Sequence, residues 1–169
     1  SSGAASYANI DLADMMFMGG DTPLGFAMLG GASGVYTGQS VSRAGDFNGD
    51  GVDDLIVGAY AADPIVNSVT RMNAGISYVI FGRSKLANEP YSYAKIDLLP
   101  MSSAGMATGF PIIGAADGDN CGFSVSGGGD INLDGFADVI VGARGATVSV
   151  SGNTRAIGGI TYVVFGRSV

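Results

Sequence analysis

Short runs of β-branched and aromatic residues, each cut off by glycine, asparagine, aspartate or proline, set the rhythm of this chain. Phe26–Leu29 reads as one short strand, and Gln39–Arg43 as a second. Leu55–Tyr60 is an almost unbroken apolar run, which suits a strand buried on both faces. Ile76–Phe81 is β-branched and aromatic and predicts a further strand. Between the last two, Ala61–Ala74 is polar, contains Pro64 and reads as a long surface loop. Near the start, Ile10–Leu12 is a minor apolar patch. The Met15-Met16-Phe17-Met18 cluster after it reads as core packing, because methionine adapts to irregular gaps. No stretch carries the three-to-four residue period of a helix. The prediction is an all-β protein dense in turns.

The pattern then starts again. Gly75-Ile76-Ser77-Tyr78-Val79-Ile80-Phe81-Gly82-Arg83-Ser84 returns 84 residues on as Gly159-Ile160-Thr161-Tyr162-Val163-Val164-Phe165-Gly166-Arg167-Ser168. Ser40-Val41-Ser42 returns as Ser124-Val125-Ser126, and Gly25-Phe26 as Gly109-Phe110, at the same spacing. Ser6–Leu12 returns as Ser92–Leu98 with a shift of 86, so a two-residue length change lies between Leu12 and Gly25. Self-similarity on this scale means one supersecondary unit used twice. The expected units are 1–84, which includes the N-terminal strand, and 85–169, together one structural domain. The second unit differs in an Asp117-Gly118-Asp119-Asn120 turn before Cys121 and in a proline-free loop, Thr147–Ala156. Asp117 and Asp119 could hold a cation, but the pair has no counterpart in the first unit and reads as an ordinary turn.

Each unit carries one loop of distinctive chemistry. In Gly45-Asp46-Phe47-Asn48-Gly49-Asp50-Gly51-Val52-Asp53-Asp54, oxygen-bearing side chains recur at alternate positions before the apolar strand. Such a loop can wrap a hard cation. Ca²⁺ takes roughly 6–8 oxygen ligands at about 2.3–2.6 Å and tolerates irregular geometry. Numbering from Asp46, the expected side-chain ligands are Asp46, Asn48, Asp50 and Asp54 at positions 1, 3, 5 and 9. The backbone carbonyl of Val52 serves at position 7, and Gly51 supplies a φ > 0 conformation. The second loop offers Asp130, Asn132, Asp134 and Asp138, with the carbonyl of Phe136. A single Asp/Asn/Gly cluster is an ordinary solvated turn. Two that keep the ligand positions while the residues between them change point to two Ca²⁺ ions, one per unit. An EF-hand loop would need a glutamate at position 12, where Val57 and Val141 stand in strands. Gly127-Gly128-Gly129-Asp130 resembles a calcium-binding β-helix repeat but is not tandem at nine-residue spacing.

Composition narrows the field. Hydrophobic residues make up 47 % and charged residues 14 %, too apolar for disorder. Seven of the fifteen acids sit in the two loops (Asp46, Asp50, Asp53, Asp54, Asp130, Asp134, Asp138), and two Ca²⁺ ions would bring the net charge from −7 to −3. The chain has no basic patch, which argues against nucleic-acid binding. Its single cysteine, Cys121, forms no internal disulfide and reads as a small apolar residue opening a strand. No apolar run reaches the length of a transmembrane helix. The opening Ser1-Ser2-Gly3-Ala4-Ala5-Ser6 lacks the regions of a signal peptide and reads as a mature or truncated end.

Gly122-Phe123-Ser124-Val125, the Asp130–Asp138 loop and Val141-Gly142-Ala143 together resemble the FG-GAP repeat of integrin α-chain β-propellers and their bacterial and protist relatives. In the first unit the lead-in is Gly38-Gln39-Ser40-Val41, with Gln39 where the motif has Phe. The closing Ala-Pro of the motif is Ala59-Tyr60 and Ala143-Arg144 here. The resemblance implies that each unit is a four-stranded antiparallel propeller blade with Ca²⁺ in the hairpin between its first two strands. The spacing of 84 exceeds the family's usual repeat and implies inserted loops around Ala61–Ala74 and Leu86–Ala107. Propellers close with about 4–8 blades. Two blades therefore make a partial propeller, closed by self-association into a homo-oligomer or by other chains of a larger complex. Phe26–Leu29 resembles the last strand of a blade, with its counterpart at Pro111–Ile113. It is expected to complete the C-terminal blade, within the chain or on a neighbouring copy, and three copies would give six blades.

The functional expectation is a non-catalytic, Ca²⁺-binding β-propeller module for adhesion, recognition or assembly. A small structural subunit of a larger complex is the alternative. A metal-dependent hydrolase is a further one, but histidine is absent and neither a Gly-x-Ser-x-Gly elbow nor a phosphate-cradling loop occurs. Scarce cytosolic Ca²⁺ and the habit of the resembled family place the protein outside the cytoplasm. No Arg-Gly-Asp tripeptide or N-glycosylation sequon occurs.

Overall fold

The computed structural model describes Leu12 and residues 25–83, 96–98 and 108–168. The described secondary structure is all strand. In chain order it begins with β1 (Met28–Leu29), β2 (Ser40–Gly45), β3 (Asp54–Ala59), β4 (Ile65–Val66), β5 (Val69–Thr70), β6 (Ile76–Ile80) and β7 (Ile96–Asp97). It continues with β8 (Gly109–Ile113), β9 (Cys121–Gly129), β10 (Asp138–Ala143), β11 (Val148–Val150), β12 (Asn153–Arg155) and β13 (Ile160–Val164). Among the described residues no helix is long and apolar enough to cross a membrane. The Met15–Met18 cluster and most of the Leu86–Ala107 insertion lie outside those residues.

Two antiparallel sheets carry the repeat. The first runs β2-β3-β6-β8 and the second β9-β10-β13. Their registers match at the spacing of 84: Ser42 faces Ile56 and Ile56 faces Val79, as Ser126 faces Ile140 and Ile140 faces Val163. Each first hairpin is irregular where it meets its Asp-rich loop, pairing Gly45 with Asp54 and Gly129 with Asp138. These are two copies of one antiparallel unit, and among the described residues no sheet closes on itself. The first sheet has the expected four strands, its last being β8. The second has three among the described residues, and the far edge of β13 has no neighbour there.

Side chains alternate across a strand, so each sheet has two faces. One face of the first sheet, with Ile56 and Val79, packs against Val139 and Val141 of the second, joined by Phe110, Tyr162 and Val164. Its other face, with Ile76, Tyr78 and Ile80, lies under Leu98, Met28 and Ile96. Since the registers are equivalent, one face of the first sheet meets the opposite face of the second. The sheets stack head to tail, as adjacent blades do.

Two features let the backbones approach so closely. Ser40 and Ser42 of β2 accept hydrogen bonds from the N–H groups of Val125 and Gly127 on β9, at 2.8 and 3.3 Å. Gly58 lies on Gly122, whose carbonyl oxygen would stand 2.0 Å from a Cβ at Gly58. Buried backbone leaves no room for that atom.

Three expectations need correction. Ala61–Ala74 is not an open loop, because β4 and β5 pair within it. Its turn residues Asn67 and Ser68 both have positive φ, 51° and 66°, as a two-residue hairpin of primed type requires. Thr147–Ala156 likewise contains the β11-β12 hairpin, turning at Ser151 and Gly152 with φ of 52° and 80°. The strand expected at Phe26–Leu29 shortens to β1 and does not complete the C-terminal sheet within the chain. It pairs in parallel with β7, through Met28 with Ile96 and Leu29 with Asp97.

The Gly58 contact generates a prediction. Overpacking a tight site costs about 1–3 kcal/mol, occasionally more, and Gly58→Ala should sit at or above the top of that range in urea denaturation. At the repeat-equivalent Gly142, the nearest atom to an added Cβ is the Ser124 hydroxyl of its own sheet, which can rotate away. Gly142→Ala should therefore cost the isolated chain less than about 1 kcal/mol.

Candidate metal sites

Each Asp-rich loop hangs from a buried carboxylate at the first residue of a central strand. Asp54 opens β3 and is fully buried. Its Oδ2 accepts the Phe47 N–H at 2.9 Å and its Oδ1 the Gly82 N–H at 2.8 Å. One side chain thus ties the start of the loop to the end of β6. Asp138, also fully buried, does the same in the second unit, accepting from Ile131 at 2.7 Å and Gly166 at 3.0 Å. Burial pushes the Asp54 carboxyl above the ordinary range. The N–H bonds from Gly82 and Phe47 offset part of that rise, and the nearby Asp50 charge adds to it.

The remaining acids fold the loop on itself. Asp46 accepts from the N–H groups of Asp50 and Gly51 at 3.0 and 2.9 Å. Asn48 Oδ1 accepts from the same Asp50 N–H at 3.0 Å, and Asn48 Nδ2 donates to Asp50 Oδ2 at 2.9 Å. Asp50 Oδ1 accepts from the Val52 N–H at 2.8 Å. In the second loop Asp130 accepts from Asp134 and Gly135, and Asn132 Oδ1 from Asp134. Asn132 Nδ2 donates to Asp134, which accepts from Phe136. Each of these side-chain hydrogen bonds of the first loop has its counterpart in the second.

Backbone conformation matches as well. Gly51 and Gly135 both have positive φ, 84° and 92°, as expected. So do Gly49 at 76° and Leu133 at 59°, the leucine being a residue type that does not announce it. Only the first of these needs to be glycine for space: an added Cβ at Gly49 would lie 2.3 Å from the Phe136 ring of the neighbouring loop. The two loops lie side by side, the Ala137 N–H donating to the Asp46 carbonyl at 3.0 Å.

The donors gathered here are carboxylate and amide oxygens with no sulfur or imidazole, a set that fits a hard cation in kind. Among the described residues, no three carboxylate, thiol or imidazole groups converge closely enough to hold an ion by themselves. A Ca²⁺ ion would therefore also need the amide oxygens of Asn48 and Asn132 and the carbonyls of Val52 and Phe136. Asp53 stands apart from the ligand set and pairs with Arg43 at 2.7 Å. Both side chains are well exposed, so the pair is worth at most about 1 kcal/mol. The repeat does not keep it, because Ala137 stands in the equivalent position.

The other candidates are absorbed by the fold. Asp119 closes its own turn by accepting the Ala116 N–H at 2.9 Å, and Asp117 ties that turn to the first unit by accepting the Met72 N–H at 3.0 Å. Cys121 opens β9, is buried in the core between the sheets, and has its thiol pushed up by that burial.

A family model described as the FG-GAP repeat matches residues 37–80 and again residues 122–164, together just over half of the chain. The first match begins just before β2 and the second at the second residue of β9; each crosses the Asp-rich loop and ends in the third strand of its sheet. A search of curated proteins finds no match to this chain.

The two kinds of acid should separate in mutagenesis. Asp54→Ala orphans two backbone N–H groups, each costing about 1–3 kcal/mol where buried. Urea denaturation in chelator should show Asp54→Ala and Asp138→Ala losing roughly 3 kcal/mol or more. Asp50→Ala, which removes hydrogen bonds at an exposed loop, should lose less than about 1 kcal/mol there.

Proposed function

Because the chain belongs to the FG-GAP repeat family, we propose that this β-propeller-type module binds two Ca²⁺ ions and serves protein–protein assembly, adhesion or recognition outside the cytoplasm. The reading is non-catalytic. The observation that carries it is the hydrogen-bond set shared by the two loops, residue for residue at a spacing of 84, although Phe47 becomes Ile131, Gly49 becomes Leu133 and Val52 becomes Phe136. These side chains also hold the turn through backbone N–H groups. What favours a cation is that three carboxylates and an amide oxygen are crowded into each short loop and kept while the residues between them change.

In this reading Asp46, Asn48, Asp50 and Asp54, with the Val52 carbonyl, hold one ion. Asp130, Asn132, Asp134 and Asp138, with the Phe136 carbonyl, hold the other. The ions would neutralise carboxylates crowded into short loops and stiffen the blade edge. Asp54 and Asp138 also anchor the loops to the sheets, so bound Ca²⁺ would add its binding free energy to the folding of the blades.

Thermal melts test the proposal. A ligand that binds only the folded state at a hundred times its dissociation constant contributes about 2.7 kcal/mol. For a domain of this size that corresponds to a rise in Tm of roughly 5–10 °C per site. Asp50→Ala and Asp134→Ala should each remove one such increment in Ca²⁺ while leaving the Tm in chelator almost unchanged. Equal losses with and without Ca²⁺ would make these residues turn formers only.

A further inference from the structure

We infer that the outward face of the β9-β10-β13 sheet docks a second copy of this chain, head to tail, through the same contact that joins the two sheets within one copy. The inference rests on the assembly part of the reading above and needs no contribution from the ions.

Among the described residues one apolar face is built twice and covered once. On the first sheet that face and its flanks include Phe47, Val79 and Phe81, which are 3, 0 and 7 % exposed beneath the second sheet. Their counterparts 84 residues on, Ile131, Val163 and Phe165, are 48, 44 and 51 % exposed. The internal contact shows what fits such a face: the opposite face of another blade of the same repeat. A second copy carries that opposite face on its first sheet, where Val41 and Leu55 are 62 and 37 % exposed.

The details of the internal contact recur on the two unjoined faces. Gly58 and Gly122 meet within the chain, and their counterparts are Gly142 and Gly38. Gly38 holds φ at 87°, like Gly122 at 84°, but nothing lies within 4 Å of the place of its Cβ. Ser40 and Ser42 accept N–H groups from the second sheet, and their counterparts Ser124 and Ser126 are exposed. Where Gly49 lies under Phe136, the contact between copies would set Leu133 against Val52, exchanging the larger and smaller partners. That exchange of volumes favours this chain itself as the occupant.

The strand edge agrees. β8 completes the first sheet by pairing with β6 over five residue pairs, Ser77 facing Ile112. The equivalent edge of β13 has no strand among the described residues. The counterpart of β8 is Gly25–Leu29, whose β1 portion is held to β7 by only two residue pairs. In the assembly β1 leaves β7 and joins β13 of the neighbouring copy, bringing Met28 opposite Thr161. The Tyr78 and Ile80 face lies under Met28, Ile96 and Leu98, so the neighbour's Val163 face covers it where β7 and Leu98 withdraw together with β1. Heterologous contacts of this kind close into rings where the rotation permits.

Sedimentation of the whole chain in Ca²⁺ tests the contact across about 1–100 µM, the range of moderate protein affinities. Wild-type chain should associate with increasing concentration. Val163→Asp should raise the concentration needed at least about a hundredfold, because it places a charge in an apolar contact. Ser126→Lys guards against a folding defect: its hydroxyl donates only to the adjacent Gly127 carbonyl, so it should give the same loss with an unchanged melt. Val150→Asp, on the exposed β11-β12 hairpin, should associate like wild type. In a Cys121→Ser background, chains carrying Thr161→Cys mixed with chains carrying Met28→Cys should form a disulfide-linked heterodimer. A wild-type monomer throughout, or association that survives both Val163→Asp and Ser126→Lys, would overturn the proposal. Absence of the cross-link would overturn the strand exchange.

Discussion

Two buried carboxylates hold this architecture in register. Asp54 and Asp138 each begin a central strand, and each accepts one N–H from the loop before it and one from the residues after the third strand. A charged group in that position is costly unless hydrogen bonds answer it. Here two charge-assisted bonds do so, and such bonds are roughly twice as strong as neutral ones. The consequence is mechanical: the Asp-rich loop cannot swing away from the sheet without orphaning a buried acid. Asp46, Asn48 and Asp50 are thereby presented from a fixed base, the condition for a loop to bind an ion without first being ordered.

The second constraint is close approach between sheets. Gly58 against Gly122, with the Ser40 and Ser42 hydroxyls meeting β9 N–H groups, brings the backbones nearer than apolar side chains alone would allow. Around this contact sit Ile56, Val79, Val139 and Val141, all buried, which supply the apolar area. The polar and apolar parts depend on each other. Serine hydroxyls find backbone partners only because glycine lets the sheets meet, and the valines exclude water only because they meet in register. On the proposal above, the same logic would make the copy of this face left exposed an interaction surface rather than a scatter of exposed side chains.

Much of this was legible in the residues, and the unread parts have physical causes. Leu55–Tyr60 and Ile76–Phe81 announced strands because apolar β-branched runs bounded by turn residues have few other uses. Repetition at 84 announced two units, and alternate acids at Asp46, Asn48 and Asp50 announced the loops. The β4-β5 and β11-β12 hairpins were not announced, because Asn67-Ser68 and Ser151-Gly152 are weak versions of the Asn-Gly turn signal and their strands are only two or three residues long. The parallel pairing of β1 with β7 was hidden for a different reason. Met28 and Leu29 carry the pattern of a last blade strand, and local pattern does not say which edge a strand will join. The anchoring role of Asp54 was likewise invisible, since its partner Gly82 lies 28 residues on and offers only a backbone N–H.

The central claim is that the chain carries two equivalent sites for one kind of ion, built by the same residues twice. Calorimetric titration of Ca²⁺ into the metal-free chain measures it directly. The account predicts two ions per chain, falling to one in Asp50→Ala or Asp134→Ala and to none in the double variant, with Mg²⁺ a poor competitor because it demands tighter octahedral geometry. No binding at millimolar Ca²⁺, or two ions still bound by the double variant, would contradict it.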